Sequence, residues 1–286
     1  MSIEQIQSPQ ETETQSILRE IHELQEIELG ILLDVDRFCR ENGITYFLGE
    51  GTLLGAIRHH GFIPWDDDVD IIMKRADYER FLAMAPNGLG TQYQVQHART
   101  VENYWSPFIK VRLTEGAAAS SYRQSHIAHL TDHNGPYIDV FPMEYVPKQK
   151  SIGQTIQSLH IRFLRGILSL KLHLHAPNGA KQRFMNVLSH FYTVPQIHKA
   201  LHKSFTKYGP EPRAYIATLA SYHPLSGQTV PAEVYDAPVD VAFEGHMLPV
   251  PKGYDTLLTT VYGDYMTPPP EDQRVIKHHF YSEDAE

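Results

Sequence analysis

Four of the five residues from 66 to 70 are aspartates, and this acidic run stands between apolar segments. The segment 62–65 reads Phe-Ile-Pro-Trp, and Ile71 and Ile72 follow the run. Because such side chains are usually buried, we expect the carboxylates at the edge of a hydrophobic core. Like charges held together there repel one another unless a cation neutralises them. The run therefore favours a metal site over a solvated acidic turn.

The carboxylates of the run are predicted to differ in direction. Residues Val69–Met73 predict a strand, along which side chains alternate between two faces. Asp66, Asp68 and Asp70 would then face one side, and Asp67 the other. Because Mg²⁺ and Mn²⁺ prefer oxygen ligands, we predict that Asp68 and Asp70 form the centre of a Mg²⁺ (or Mn²⁺) site. Asp66 is a further candidate ligand, and Asp67 is predicted to point away.

A glycine-containing turn precedes the acidic run. Gly49–Thr52 lies between a predicted strand at Ile44–Leu48 and a short predicted helix at Thr52–His59. Small residues at the start of a helix let backbone N–H groups approach phosphate oxygens. We therefore predict that Gly51 and Thr52 bind phosphate.

Two pairs of basic residues are candidate phosphate ligands. Lys110 and Arg112 alternate with apolar residues on the predicted strand Phe108–Leu113, so both can share one face and bind phosphate oxygens. The alternative is that they form the solvated face of an amphipathic strand. Arg58 and His59 end the short helix after the turn. They are predicted to stabilise developing negative charge, or else to cap that helix.

The wider pattern predicts an α/β (α+β) protein. Apolar residues at helical spacing predict a first helix over Thr14–Glu41, and strand patterns recur as far as Phe141. Two helical segments follow, Ile152–Leu174 and Gln182–Phe205. We divide the chain into a disordered N-terminus (1–13), a catalytic core (14–147), a basic helical subdomain (148–228) and a C-terminal segment that returns to the core (229–286).

The charges are distributed unevenly. Between Glu144 and Glu211 there is no acidic residue, whereas ten of the 25 Lys and Arg residues fall there. The other 15 stand against all 34 acidic residues of the chain. The surface of this region faces either an anionic partner or the acidic remainder of the protein. The first alternative predicts peripheral contact with an anionic membrane through residues 148–207.

Composition narrows the compartment and the partners. Cys39 is the single cysteine, so no intrachain disulfide can form. The polar N-terminus does not resemble a signal peptide, and no stretch has the roughly 20 apolar residues that a membrane span needs. We expect a cytoplasmic protein, with peripheral contact at the inner membrane face as a further hypothesis. Because the catalytic half is acidic, no nucleic-acid partner is expected.

A long segment resembles a known family. Phe47–His59 together with Gly61–Asp70 is similar to the signature of the LicD family, which is related to fukutin-type transferases and belongs to the nucleotidyltransferase-fold superfamily. Further segments resemble other family motifs: Tyr104–Arg112, Tyr137–Pro142, Phe243–Pro249 and Tyr262–Met266. The resemblance implies a nucleotidyltransferase-like mixed sheet with flanking helices and a basic, mainly helical insertion.

The resemblance also implies a set of site residues. The superfamily pattern combines a Gly-Ser or Gly-Thr turn, an Asp-x-Asp pair and a third carboxylate on a neighbouring strand. These fall here on Gly51-Thr52, on Asp68 and Asp70, and on Asp139. Asp139 would complete the metal site or act as a base toward an acceptor hydroxyl. The alternative is a structural residue between Ile138 and Val140.

The implied activity is a metal-dependent phosphotransferase. It would move a phosphorylated alcohol, such as phosphocholine, from a CDP-activated donor (CDP-choline-like) to a hydroxyl of a cell-surface glycan. Candidate acceptors are teichoic-acid or lipopolysaccharide-type glycans and their lipid-linked precursors. Two alternatives stay open: a nucleotidyltransferase that makes an activated precursor, and a non-catalytic glycan- or membrane-binding protein of the same fold.

Overall fold

A computed structural model describes most of the chain. The described residues are 13–116, 118, 122–123, 127–147, 151–221, 229–274 and 281–282. Residues 1–12 of the predicted disordered N-terminus lie outside them, as do 148–150 and 222–228 of the predicted basic subdomain.

Helices and strands alternate as far as residue 96, further strands follow, and three helices then occupy the basic region. The α-helices are α1 (Glu13–Glu41), α2 (Glu50–His59), α3 (Arg75–Gly88), α4 (Ile152–Lys171), α5 (Gly179–Ser189), α6 (Val194–Phe205) and α7 (Tyr254–Tyr262). The strands are β1 (Phe47–Leu48), β2 (Asp70–Lys74), β3 (Tyr93–Gln96), β4 (Ile109–Leu113), β5 (Tyr122–Arg123), β6 (Tyr137–Val146), β7 (Tyr215–Ala217), β8 (Thr229–Pro231), β9 (Pro238–Phe243), β10 (His246–Pro251) and β11 (Tyr281–Ser282). The predicted mixed α/β class is confirmed.

A seven-stranded mixed sheet forms the centre of the fold. Its order is β1-β2-β6-β4-β3, and β7 pairs with the far end of β6 and with β8. Only β2 and β6 are parallel among these pairs, and their register places Asp70 beside Asp139. The other pairs are antiparallel. Two of the predicted site carboxylates, Asp70 and Asp139, therefore lie side by side on adjacent strands.

The helices of the basic region share the core of the sheet. Ile161 on α4 and Ile197 on α6 belong to the same buried hydrophobic cluster as Ile71 on β2 and Val140 on β6. The boundaries proposed for separate domains stay predictions. Among the described residues, no helix is both long and apolar enough to cross a membrane.

The predicted helix over Gln182–Phe205 is interrupted. α5 ends at Ser189, and α6 begins after Thr193, whose hydroxyl accepts a hydrogen bond from the backbone N–H of Gln196. The Gln196 side chain accepts one in return from the Thr193 N–H. This reciprocal capping starts a new helix, and Pro195 fits in its first turn because the N–H it lacks has no helical partner there.

The C-terminal hairpin holds the loop that leads into the acidic run. Glu244, in the turn between β9 and β10, accepts a hydrogen bond from the Phe62 N–H and donates its own N–H to the His60 carbonyl. A Cβ atom on Gly61 would collide with the Glu244 carboxylate. A larger residue at position 61 would therefore have to displace that carboxylate, which accepts the hydrogen bond from Phe62.

The buried ion pair between Arg75 and Glu144 joins α3 to β6. We predict that Arg75→Met lowers the free energy of unfolding by about 3–5 kcal/mol, because it leaves Glu144 buried without its cation. Urea denaturation measures the change. The matched control is Arg37→Met, which removes an exposed Arg37–Asp34 pair and should cost about 0–1 kcal/mol. Equal losses in the two variants would contradict the prediction.

Candidate active site

The turn between β1 and α2 packs directly against the acidic run. The Gly49 N–H donates to the Asp70 carbonyl over 2.9 Å. Glu50 follows in the left-handed region, with a φ of +45°. A Cβ atom at position 51 would collide with an Asp66 carboxylate oxygen, so a larger residue would displace that carboxylate. The start of α2 is thereby held against the first aspartate of the run.

Thr52 connects the same turn to β2. Its buried hydroxyl oxygen accepts a hydrogen bond of 2.8 Å from the backbone N–H of Asp70. This bond fixes the position of α2 relative to the first residue of the strand. Phosphate binding by Gly51 and Thr52 stays a prediction.

The first three aspartates form a compact cluster. Asp66, Asp67 and Asp68 each offer one carboxylate oxygen, and these oxygens lie within 4.8 Å of one another. The prediction that Asp67 points away is wrong, since its side chain is buried within this cluster. The physical reason is that β2 begins only at Asp70, so strand alternation does not govern the residues before it.

Gln25 on α1 fixes the backbone of this loop. Its side-chain amide donates to the carbonyls of Ile63, over 3.2 Å, and Asp66, over 2.7 Å. Both bonds satisfy carbonyl groups of an irregular segment that no strand ladder pairs. The long first helix therefore positions the carboxylate cluster as well as covering the sheet.

Asp70 and Asp139 lie side by side on the two parallel strands. The Asp139 N–H donates to the Val69 carbonyl over 2.8 Å, and the Asp139 carboxylate accepts a bond of 2.6 Å from Lys110 Nζ. Burial raises the pKa of Asp70, and the neighbouring Asp68 and Asp139 charges raise it further. The predicted carboxylates are thus brought into one electrostatic unit.

Lys110 and Arg112 share one face of β4, as predicted. Lys110 Nζ lies 3.5 Å from the centroid of the Tyr137 ring, and Arg112 Cζ lies 4.6 Å from it. Arg112 is fully buried and donates to the side chain of Gln96 and the carbonyl of Gly135. Burial lowers the pKa of Arg112 to about 10. These contacts favour a structural role for Arg112, and phosphate binding by both residues stays a prediction.

A second group of cations lies around Trp65. Arg58 donates to the Tyr265 carbonyl over 3.0 Å and to His59 Nδ1 over 3.3 Å, and the His59 ring meets Trp65 edge-on. Arg274 Cζ stands 4.9 Å from the centroid of the Trp65 ring. Burial lowers the pKa of His59, and the charges of Arg58 and Arg274 lower it further. The predicted pair is therefore joined by Arg274, which the sequence pattern did not reveal.

Glu28 is a second residue that sequence reasoning missed. Its side chain has 0% exposure, and neither carboxylate oxygen has a hydrogen-bond partner among the residues that the structure describes. Burial raises the pKa of Glu28, and the charges of Asp68, Asp67, Asp139 and Asp66 raise it further. The available signal was its position on α1, since Leu24 and Leu32, four residues away on either side, are both core residues.

The donor set fits a divalent cation. Carboxylate oxygens are the ligands that Mg²⁺ and Mn²⁺ prefer. A buried carboxylate without a hydrogen-bond partner is costly unless another charge compensates it. Glu28 is such a group, and it faces three adjacent carboxylates. A cation at this cluster would offset repulsion that the Lys110–Asp139 ion pair offsets only at one edge.

The glycine-containing turn, the carboxylates on adjacent parallel strands and the mixed sheet define a nucleotidyltransferase-like domain. A family model described as "LicD/FKTN/FKRP, nucleotidyltransferase domain" matches residues 43–163. The lipopolysaccharide cholinephosphotransferase LicD of Haemophilus influenzae is 33% identical over 262 residues, which cover 90% of this chain and 96% of that protein. The chain therefore belongs to the LicD family.

Two shorter similarities involve relatives without a described activity. An uncharacterized protein of Rickettsia typhi is 37% identical over 67 residues, covering 23% of this chain and 22% of that protein. An uncharacterized protein of Rickettsia prowazekii is 36% identical over 69 residues, covering 24% and 26%. These matches add no substrate.

We predict that Glu28→Gln raises the stability of the metal-free protein by about 1–3 kcal/mol at pH 8, because it removes a buried, uncompensated carboxylate. A raised pKa in the folded state means that stability is highest below the ordinary pKa of the carboxyl group and is lost as pH rises through the folded-state pKa. The gain should therefore grow with pH. Thermal and urea unfolding in EDTA measure it.

The control is Glu26→Gln on the same helix, where the side chain is 72% exposed. This variant should change the stability by about 0.5 kcal/mol or less at every pH. A Glu28→Gln protein that is less stable than the unaltered protein in EDTA would show that Glu28 has a stabilising partner.

Proposed function

We propose that this chain transfers phosphocholine from CDP-choline to a hydroxyl group of a lipopolysaccharide-type glycan, with Mg²⁺ (or Mn²⁺) at the carboxylate cluster. The observation that carries the proposal is the similarity to the Haemophilus influenzae cholinephosphotransferase, which extends over 90% of this chain. The family model matches residues 43–163, which include the turn, the acidic run and the strand that carries Asp139.

The cation would be held by Asp66, Asp67 and Asp68, with Asp70 and Asp139 on the adjacent strands. Glu28 supplies a further buried carboxylate on the side of α1. When bound, the cation neutralises charge on the diphosphate of the donor. The side chains of the protein then position the donor and the acceptor relative to each other. Such positioning is a main requirement of phosphoryl transfer.

The reaction forms one phosphorus–oxygen bond and breaks another. The acceptor hydroxyl oxygen attacks the phosphorus that bears choline, the bond from that phosphorus to CMP breaks, and CMP leaves with the electron pair. We assign the released hydroxyl proton to the carboxylate of Asp139. The hydrogen bond from Lys110 orients this carboxylate at the edge of the cluster.

The leaving CMP needs cationic and N–H donors for its phosphate. Arg58, His59 and Arg274 lie together around Trp65, next to the first aspartate of the run. The N-terminal end of α2, at Gly51 and Thr52, adds backbone N–H groups. We assign these groups to the donor phosphates, since one guanidinium group can donate hydrogen bonds to two phosphate oxygens at once.

Related activities would differ from the proposed one in the donor or in the acceptor. CDP-ethanolamine, CDP-glycerol and CDP-ribitol carry other alcohols on the same diphosphate, and teichoic-acid-type glycans offer other hydroxyl groups. A nucleotidyltransferase would instead consume CTP and release pyrophosphate. A lipid-linked acceptor would place the reaction at the inner face of the membrane, near residues 148–207.

We predict that the protein releases CMP from CDP-choline in the presence of Mg²⁺ and a lipopolysaccharide acceptor. Asp68→Asn and Asp70→Asn should each lower the rate roughly 100-fold or more, because both remove charge from the cluster that positions the donor. The exposed Asp236→Asn serves as the control and should keep the full rate. Unfolding curves for each variant confirm that the fold is retained.

Three outcomes would overturn the proposed function. Pyrophosphate release from CTP without CMP release from CDP-choline would indicate nucleotidyl transfer. A preference for another CDP-alcohol would replace phosphocholine as the transferred group. Full biological function of the Asp68→Asn and Asp70→Asn variants in cells would favour a non-catalytic binding protein.

We predict that Mn²⁺ raises the melting temperature of the protein and that Glu28→Gln reduces this increase. The cation compensates a carboxylate that is otherwise repelled by its neighbours, so the variant loses affinity while gaining metal-free stability. We expect the Glu28→Gln protein to bind Mn²⁺ roughly 10–100-fold more weakly than the unaltered protein. Titration calorimetry measures both affinities. Equal affinities in the two proteins would show that Glu28 does not contribute to the cation site, whatever the activity.

A further inference from the structure

Exposed apolar side chains are concentrated in the helical region. Among the described residues, eleven large hydrophobic side chains are exposed, and seven of them lie between positions 152 and 192. These seven are Ile152, Ile156, Leu159, Phe184, Val187, Phe191 and Tyr192. Scattered apolar residues are normal on a surface, but a concentration of them marks an interaction site.

The exposed residues of α4 belong to a stripe that α5 covers only in part. Ile152, Ile156 and Leu159 lie on one face of α4 at spacings of four and three residues. Gly166 continues the same stripe, and there a Cβ atom would lie 2.7 Å from Met185 Cε of α5. The packing of α5 thus covers the stripe at Gly166, whereas the first half of the stripe is exposed.

The outer face of α5 extends the exposed apolar surface. Phe184 is 64% exposed and Val187 is 58% exposed, three residues apart on the helix. Phe191 follows just beyond the helix and is 77% exposed. Met185 and Leu188, between them in sequence, pack against the core. The helix therefore has one face on the protein and another apolar face outward.

The charge around these side chains has a single sign. Residues 145–210 contain no Asp or Glu. Exposed basic side chains stand on the same helices, at Arg162 on α4 and at Lys181 and Arg183 on α5, and the neighbouring α6 adds Lys199 and Lys203. Helices that combine exposed large apolar side chains with basic ones bind the interface of anionic bilayers, where the apolar groups enter the acyl boundary and the cations meet lipid phosphates. A second copy would bring two basic faces together.

We propose that the surface formed by the N-terminal half of α4 and the outer face of α5 binds an anionic lipid bilayer. Phe184, Val187 and Phe191 enter the interface, and Lys181 and Arg183 pair with lipid phosphate groups. This inference rests on the surface alone and extends the proposed function by stating how the enzyme reaches a membrane-borne acceptor. It holds or fails independently of the transferred group.

The test is sedimentation of the full chain with vesicles of phosphatidylcholine alone or mixed with phosphatidylglycerol. We expect binding to the mixed vesicles that falls as salt is raised. Phe184→Ser combined with Phe191→Ser should weaken it roughly tenfold or more. Lys181→Gln combined with Arg183→Gln should weaken it about fivefold for each charge removed. The control, Met84→Ser combined with Met247→Ser, removes exposed apolar side chains elsewhere and should bind normally.

Absence of binding to the mixed vesicles, or equal binding by the phenylalanine variant and the methionine control, would overturn the proposal. Light scattering provides a second readout: a dimer that the phenylalanine substitutions dissociate would assign the surface to a second copy of the chain. CMP release with a lipid-free acceptor should be unchanged in the phenylalanine variant. If CMP release were absent from every variant and control while vesicle binding followed the expected pattern, the proposed function would fail and the membrane surface would stand.

Discussion

Electrostatic repulsion among buried carboxylates is the constraint on which the rest of this structure depends. Asp66, Asp67 and Asp68 meet at the edge of the core, and Glu28 faces them with no hydrogen-bond partner in the described part of the chain. Such a cluster persists only if the surrounding fold fixes it. Lys110 offsets part of the charge through Asp139, and the remaining negative charge makes the cluster suited to a divalent cation.

The fold fixes the cluster through contacts from distant parts of the chain. Gln25 on the first helix satisfies two carbonyls of the acidic loop, and Thr52 accepts the first N–H of β2. Glu244, in the C-terminal hairpin, holds the segment that enters the loop. Each contact joins a backbone group of the loop, or of the strand that follows it, to a side chain from another part of the chain. The site is therefore built by the N-terminus, the centre and the C-terminus of the chain together.

The proposed chemistry and the proposed membrane contact use opposite charges on one molecule. The carboxylate cluster suits a cation and, through it, a diphosphate, whereas the acid-free helices present Lys181, Arg183 and exposed phenylalanines. Both regions share one hydrophobic core, since α4 and α6 pack into the cluster that includes β2 and β6. An acceptor carried by a membrane would thus be met by a surface continuous with the catalytic fold.

The sequence alone determined the family, the α/β class, the acidic run and the shared face of Lys110 and Arg112, because these follow from local spacing and an uninterrupted motif. Tertiary structure decided that Asp67 joins its neighbours, since β2 starts too late to turn it outward. It also brought Glu28 and Arg274 to the site, across 38 and 209 positions from Asp66 and Trp65. Local patterns record which face of an element is apolar, but they carry no information on which distant side chain packs there.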